Sequence, residues 1–327
     1  MMKISASFKG VYTLSNGREE VVVDNLVTDL GAAALLGVDN NTSNNTHSAA
    51  RFHSSGARIH VGQGSTPPTF ADTQLQTQLA AVRPVLDSST ARVRFTLYAD
   101  RVLISHNMTA TFPVGAVVGN VSEVGATAVN NHGAAVLVSR TVLPEALTVL
   151  ATDQLIVSYR LEITVGRPAS ELTDFNFPGR SAMLLPHRGG ELETVPASSY
   201  HALPRYGSFA ASALLTQAQW DAWRTSQIAY DQMGTNPTSR TTQFISRTAT
   251  SATYRVSLFW AASAATLQVA AVMIGGGYGV ILSSTTGSIA TASAQAGAIV
   301  FDPPLNKTAD NELRLSYDVT YRWRDPD

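Results

Sequence analysis

The sequence has no cysteine among its 327 residues. That excludes disulfides, zinc–thiolate sites, iron–sulfur clusters and thiol nucleophiles together. Charge is also scarce. Asp, Glu, Lys and Arg make up 14% of the chain, against roughly 25% in an ordinary soluble domain, and Ala, Ser, Thr, Val and Gly fill the gap. Lysine occurs only at positions 3, 9 and 307. The net charge of −1 gives no broad attraction to nucleic acid or to an anionic membrane, so neither is expected as a partner. The N-terminal residues alternate instead of forming a continuous apolar core, which predicts no export by a secretory signal. Residues 260–281 form the longest small-and-apolar stretch. Ser263, Thr266, Gln268 and Gly275-Gly276-Gly277 interrupt it, so it reads as two buried strands and a turn, not a membrane span.

What is present is β-pattern and length. An apolar content of 44% over 327 residues is enough for two domains with their own cores. Residues 3–14 alternate, meet Ser15-Asn16-Gly17, and resume at Val21-Val22-Val23, which is a hairpin signature. Residues 26–36 read as a short helix capped by Asp24-Asn25, with Gly37 as its stop. A second short helix is expected to start near Asp72. From residue 90 to 165 the period is two, with Val93, Phe95 and Leu97 on one face, then Leu155, Val157, Tyr159, Leu161 and Ile163. An irregular segment follows Gly166-Arg167-Pro168, and one amphipathic helix is predicted over 217–233, with Thr216 as its cap. The remainder returns to strands.

Two strand-rich stretches resemble each other. Ser88-Ser89-Thr90-Ala91-Arg92-Val93 matches Ser251-Ala252-Thr253-Tyr254-Arg255-Val256. Gly133-Ala134-Ala135-Val136 answers Gly297-Ala298-Ile299-Val300. Asp153 to Leu161 aligns with Asn311 to Val319. The expected fold is therefore mainly β: two β-sandwich, jelly-roll-like modules from an internal duplication, with a few short accessory helices. The modules are residues 1–168, with the hairpin and short helices, and residues 169–327, with the amphipathic helix.

No residue set announces a reaction. His47, His53 and His60 are separated by six and seven positions, which suits neither a helix face nor a hairpin. They read as solvated loop histidines, and no metal site is expected. Glu19, Glu20, Asp72, Glu123, Glu145, Glu162 and Asp221 could supply a carboxylate pair for cutting polysaccharide, yet each reads as a turn, cap, strand-edge or solvated helix position. Gly62-Gln63-Gly64 and the glycines at 275–277 lack the Lys-Ser/Thr of a phosphate loop and read as tight turns. No Gly-x-Ser-x-Gly elbow occurs. No catalytic residue and no cofactor are predicted. The aromatic side chains of Trp220, Trp223 and Tyr278 are the interface candidates, since aromatics anchor subunit contacts as well as cores.

Two segments add a resemblance. Val23-Asp24-Asn25-Leu26-Val27-Thr28-Asp29-Leu30-Gly31 carries an N-x-h-T-x-x-G pattern, with h apolar. Residues 59–75 carry h-G-x-G-x-x-x-P-x-x-x-D-T-x-L through Gly62, Gly64, Pro68, Asp72, Thr73 and Leu75. Val121-Ser122-Glu123-Val124-Gly125, Leu137-Val138-Ser139-Arg140 and residues 155–161 follow in order. Over residues 20–165 this resembles virion structural proteins of tailed bacteriophages. The second half shows the likeness only through the repeat. The resemblance implies a tail, neck, baseplate or fibre-like part located in the virion, forming homo-oligomers with itself and contacting other virion proteins. It implies no catalytic residues. A receptor- or glycan-binding module at a tail fibre, with a host surface glycan as ligand, and a capsid decoration protein are the alternatives.

Overall fold

The computed structural model describes residues 2–38, 50, 52, 56–86, 93–97, 101–130, 133–166, 182–183, 203–205, 213–226, 235–264, 266–283 and 289–324. The chain is mainly β. The first half contains β1 (Met2–Ser15), β2 (Glu20–Asp24), β3 (Leu26–Val27), helix α1 (Asp29–Leu35), β4 (Arg58–Gly62), β5 (Gln78–Val82), β6 (Val85–Leu86) and β7 (Val93–Leu97). It continues with β8 (Arg101–Phe112), β9 (Gly119–Val129), β10 (Ala135–Val149) and β11 (Leu155–Gly166). Then come β12 (Ala182–Met183), β13 (Leu203–Arg205), β14 (Ala213–Leu215) and helix α2 (Gln217–Ser226). The last strands are β15 (Ser239–Arg247), β16 (Ser251–Trp260), β17 (Leu267–Ser283), β18 (Ile289–Lys307) and β19 (Leu313–Arg322).

Among the described residues these strands form three sheets. A nine-stranded sheet runs β15–β16–β19–β1–β11–β8–β6, with β2 beside β1 and β7 beside β8. A five-stranded sheet runs β3–β10–β9–β4–β5, and another runs β12–β18–β17–β13 with β14 on β17. β1 joins the halves. Its residues 6–15 pair antiparallel with β11, while Met2–Ser5 pair parallel with Val319–Arg322 of β19. The expected first hairpin is present, with Ser15 opposite Glu20. Gly17 takes φ +85 at its tip, a conformation that costs a side-chain-bearing residue about 1–2 kcal/mol. The Asn16 carboxamide accepts from the Arg18 and Glu19 amides and donates to the Thr148 carbonyl, which pins that tip to β10.

Period two explains the core. Leu155, Val157, Tyr159, Leu161 and Ile163 of β11 are all buried, as are Leu313, Leu315, Tyr317 and Val319 of β19. Tyr12 and Leu14 of β1 share the same core. Tyr12 reaches across to the first five-stranded sheet, its hydroxyl 2.7 Å from Ser139 Oγ, so the two sheets face one another there.

Several local expectations need correction. Residues 26 and 27 form a strand paired with β10, not a helical turn. The helix starts at Asp29, because Thr28 is its cap: Thr28 Oγ1 accepts from the Gly31 amide at 2.9 Å. No helix begins at Asp72, where the side chain instead closes a turn by accepting from Thr69. Residues 260–281 are not two strands and a turn. β16 ends at Trp260, a 3-10 turn follows over Ala262–Ala264, and Gly275 to Gly277 lie within β17 at shifts of its register against β18. α2 ends at Ser226 among the described residues, and 227–233 of the predicted helix lie outside them. Thr216 does cap it, exchanging contacts with the Gln219 backbone and side chain.

Five strands recur in one order. β7 pairs β8 and β8 pairs β11, while β9 and β10 form a hairpin in another sheet. In the second half β15 pairs β16 and β16 pairs β19, while β17 and β18 form a hairpin in another sheet. The match of 153–161 with 311–319 coincides with this order, since Leu155 and Leu313 open β11 and β19. The other two anchors do not. Residue 93 opens β7 whereas Ser251 opens β16, the counterpart of β8. Gly133 sits in a turn, whereas Gly297 lies inside β18 opposite Ile274.

Candidate functional site

The segment joining β4 to β5 wraps a buried carboxylate. Glu123 projects from β9 and is 0% exposed. Its Oε1 accepts from the Gly64 amide at 3.0 Å and the Thr77 amide at 2.7 Å. Its Oε2 accepts from the Gln76 amide at 3.1 Å and from Arg140 Nε at 2.9 Å. Four donors therefore converge on one ionised group, which is the condition under which a charge stays in an interior. The glycines make room: a Cβ on Gly64 would stand 2.5 Å from Glu123 Cδ, and one on Gly62 would stand 2.4 Å from the Thr77 carbonyl oxygen.

Arg140, on β10, carries the network outward. It is buried, and its remaining nitrogens donate to Asp72 Oδ2 at 2.8 Å and to the Thr66 carbonyl at 3.0 Å. Burial alone would lower the guanidinium pKa, but Asp72 and Glu123 hold it above its usual value. Desolvation likewise pushes the Asp72 carboxyl up, and hydrogen bonds from Thr69 and Arg140 outweigh it, leaving the pKa lowered. The loop closes on itself through Gln76 Oε1, which accepts from the Ser65 and Thr66 amides, both at 3.0 Å. Outside it lies an open depression of about 410 Å³ lined by Thr66, Ala71–Gln76 and Arg140.

A second network sits deeper. The rings of Tyr12 and Tyr159 stack with centroids 4.3 Å apart. Ser139 Oγ bridges their hydroxyls, and Asn25 Nδ2 donates to Tyr159 at 2.9 Å. Desolvation pushes both phenol pKa values well up. From the C-terminal side, Arg324 reaches Asp29 at 3.1 Å and lies 4.1 Å over the Phe70 ring. The last strand's exit is thereby fastened to α1 and to the wrapped loop.

The sequence-level candidates fare unevenly. Trp220 on α2 is 4% exposed, so its ring is packed inside instead of being offered to a neighbour. The side chains of Trp223 and Tyr278 lie outside the described residues, as do His47 and His53. His60 is not a solvated loop residue. It stands on β4 between Gln78 Oε1 at 2.8 Å and Thr127 Oγ1 at 3.0 Å, and desolvation lowers its pKa. Among the described residues, no three His, Asp or Glu side chains gather for a metal ion. Of the carboxylates, Glu162 pairs with Arg160, and Asp221 accepts from Gln217. Glu123 is no strand-edge residue but the most enclosed of them. The glycines at 62 and 64 are the wall around it, not merely a turn. Comparison with protein-family models, with curated proteins and with solved structures finds no match for this chain.

Proposed function

We propose that the chain is a structural subunit of a tailed-phage virion, of the tail or head–tail region, which assembles with copies of itself and with other virion proteins. One observation carries this reading: the residues of the phage-like segments meet one another. Gly62, Gly64 and Asp72 surround Glu123 and Arg140, while Asn25, Thr28 and Gly31 bind Tyr159, Leu137 and each other. Asp72 and Arg140 line the open depression, but they are engaged by each other, by Thr69 and by the Thr66 carbonyl. Here the buried carboxylate has its acceptor positions filled by the chain's own amides and arginine, so the pattern describes an architecture. That supports a part selected for shape. The recurring strand order favours two β-sandwich modules descended from a duplication. The low charge favours close subunit contacts, since few ions need desolvation.

The test is mass and location together. Light scattering of the purified chain is expected to give a multiple of its 34.7 kDa, and antibody labelling under the electron microscope is expected to mark assembled particles. A protein that stays monomeric at micromolar concentration and is missing from purified particles overturns the reading.

A further inference from the structure

The tip of the first hairpin holds the sequence's one Asn-Gly step, Asn16-Gly17. Such a step can modify itself, because a following glycine has no Cβ to keep its amide nitrogen from the asparagine carboxamide. The Gly17 nitrogen would bond to Asn16 Cγ as the Cγ–Nδ2 bond breaks. The departing NH2 group takes the Gly17 amide proton and leaves as ammonia, with a five-membered succinimide behind. Water then opens either ring carbonyl, giving aspartate at 16 or isoaspartate, in which the main chain runs through the side-chain carbon. No oxidant and no enzyme is consumed.

The fold opposes this chemistry. Asn16 is 4% exposed, although hairpin tips lie at the surface. Its Nδ2, the leaving group, donates to the Thr148 carbonyl at 2.8 Å. Its Oδ1 accepts from the Arg18 amide at 2.9 Å and the Glu19 amide at 2.8 Å. Those two donors alone would favour the oxyanion that develops during attack. The block therefore comes from the other contacts. Ring closure breaks the bond from the Gly17 amide to Ser15 Oγ, 3.2 Å long. Loss of ammonia breaks the bond to Thr148, and hydrolysis needs water that the burial excludes. The remaining tether of the tip is Arg18, which reaches Asp153 from a side chain 52% exposed. An exposed ion pair holds little, so the Asn16 carboxamide is the main pin to β10.

We propose that Asn16 is a modification site kept shut by that pin, converted when the hairpin tip lifts from β10, and that conversion makes the lift permanent. In the product a carboxylate oxygen replaces Nδ2 and faces the Thr148 carbonyl with no proton to share, so a bond becomes a repulsion. Glu19 and Glu20 follow directly, and Arg18 is already committed to Asp153. Isoaspartate also adds one carbon to the main chain between Ser15 and Glu20, which are paired across the hairpin.

The full-length chain is aged at mildly alkaline pH, folded and in urea above its midpoint, and peptide mapping reads the acid forms of residue 16. In urea the conversion should match that of a synthetic peptide of residues 12–20 in the same solvent. The folded chain should convert at least about tenfold more slowly, since reaction waits for local opening. A smaller difference overturns the block. Hydrogen exchange on N16D, and on chain partly converted in urea and refolded, reads the consequence. Amides of Val21–Val23 should exchange at least about tenfold faster than in the parent, while the β8–β11 ladder stays protected. Exchange at β2 equal to the parent's overturns the release, as does loss of protection throughout the chain. If N16D fails to fold, the partly converted chain decides, because its two forms are resolved by mass in one sample.

Discussion

Replacing Glu123 by glutamine isolates what the buried charge contributes. The side chains are nearly isosteric, so no cavity opens, and the outcome depends on hydrogen-bond direction. Each carboxylate oxygen accepts two bonds: Oε1 from the Gly64 and Thr77 amides, Oε2 from the Gln76 amide and Arg140 Nε. Glutamine has one acceptor oxygen and one NH2 donor. In either orientation the NH2 faces two donors and satisfies neither. Leaving a buried polar group unsatisfied costs about 1–3 kcal/mol, and removing one charge of a buried pair costs about 3–5 kcal/mol. The two figures describe overlapping losses, so the expected destabilisation is about 3–5 kcal/mol. The assay is urea denaturation combined with amide hydrogen exchange, read at Gly64, Gln76 and Thr77. A local loss of that size accelerates exchange by about 100- to 4,000-fold at a factor of ten per 1.4 kcal/mol. R140M should cost a similar amount, and the double variant should cost much less than the sum, because neither charge remains to be stranded. An E123Q protein within about 1 kcal/mol of the parent, with unchanged exchange at those three amides, refutes the reasoning.

Asp72 closes the same network at its outer end, and its folded pKa lies below the ordinary value. Its contribution is therefore complete above the unfolded carboxylate pKa of about 3.9 and is lost as pH falls through the folded one. D72N should lower the urea midpoint at pH 7, with the gap to the parent shrinking below pH 4. Lys307 is buried with Nζ donating to the Ala262, Thr308 and Asn311 carbonyls at 3.0, 3.1 and 2.7 Å. K307M should cost about 2–4 kcal/mol, since charge-assisted bonds are lost and their acceptors stay enclosed, as the urea midpoint will show. Tyr12 and Tyr159 both have raised pKa values. In an alkaline absorbance titration at 295 nm, Y12F and Y159F should remove no amplitude from the step in which exposed tyrosines ionise, near the ordinary pKa of about 10, and each should remove one tyrosine's amplitude only from the step that accompanies unfolding.

The parts of this fold legible in the sequence are those governed by local pattern. Ser15-Asn16-Gly17 declares a reversal because only a few residue types accept positive φ, and β11 and β19 declare themselves because one face of each is buried along its length. The helix begins later than the sequence pattern predicts because Asp24-Asn25 and Thr28 are both competent caps. The choice falls to Thr28, whose hydroxyl also donates to Leu137 on a strand 109 residues away. Nothing local reports that contact. Glu123 passes in the sequence for one more turn, cap, strand-edge or solvated helix carboxylate because burial on β9 does not alternate: both faces of residues 123–126 are covered. A signal for it existed. Glu123 is the lone charge in β9, and Arg140 lies amid the apolar start of β10. Isolated opposite charges in two apolar strands point to a buried pair.

The second half cannot repeat this device. From Val256 through Phe301 the sequence contains no Asp, Glu, Lys or Arg, and that stretch includes β17 and residues 289–301 of β18, the hairpin that corresponds in order to β9 and β10. A Glu–Arg pair wrapped by a loop is therefore unavailable there. The described ionic anchor is instead Lys307 at the end of β18, held by backbone carbonyls near the turn into β19. The two hairpins of similar placement are thus secured by different means, one at mid-strand through an ion pair and one at its base through a lysine. What the halves do share is β1, which pairs with β11 over ten residues and with β19 over four. With Arg324 lying on Phe70 and Asp29, the C-terminal exit is tied to the very loop that encloses Glu123. Loosening that loop should therefore weaken the joint between halves as well as the first half itself. The E123Q variant should accordingly show faster amide exchange at Met2–Ser5, while the β16–β19 ladder, which makes no contact with the ion pair, stays protected.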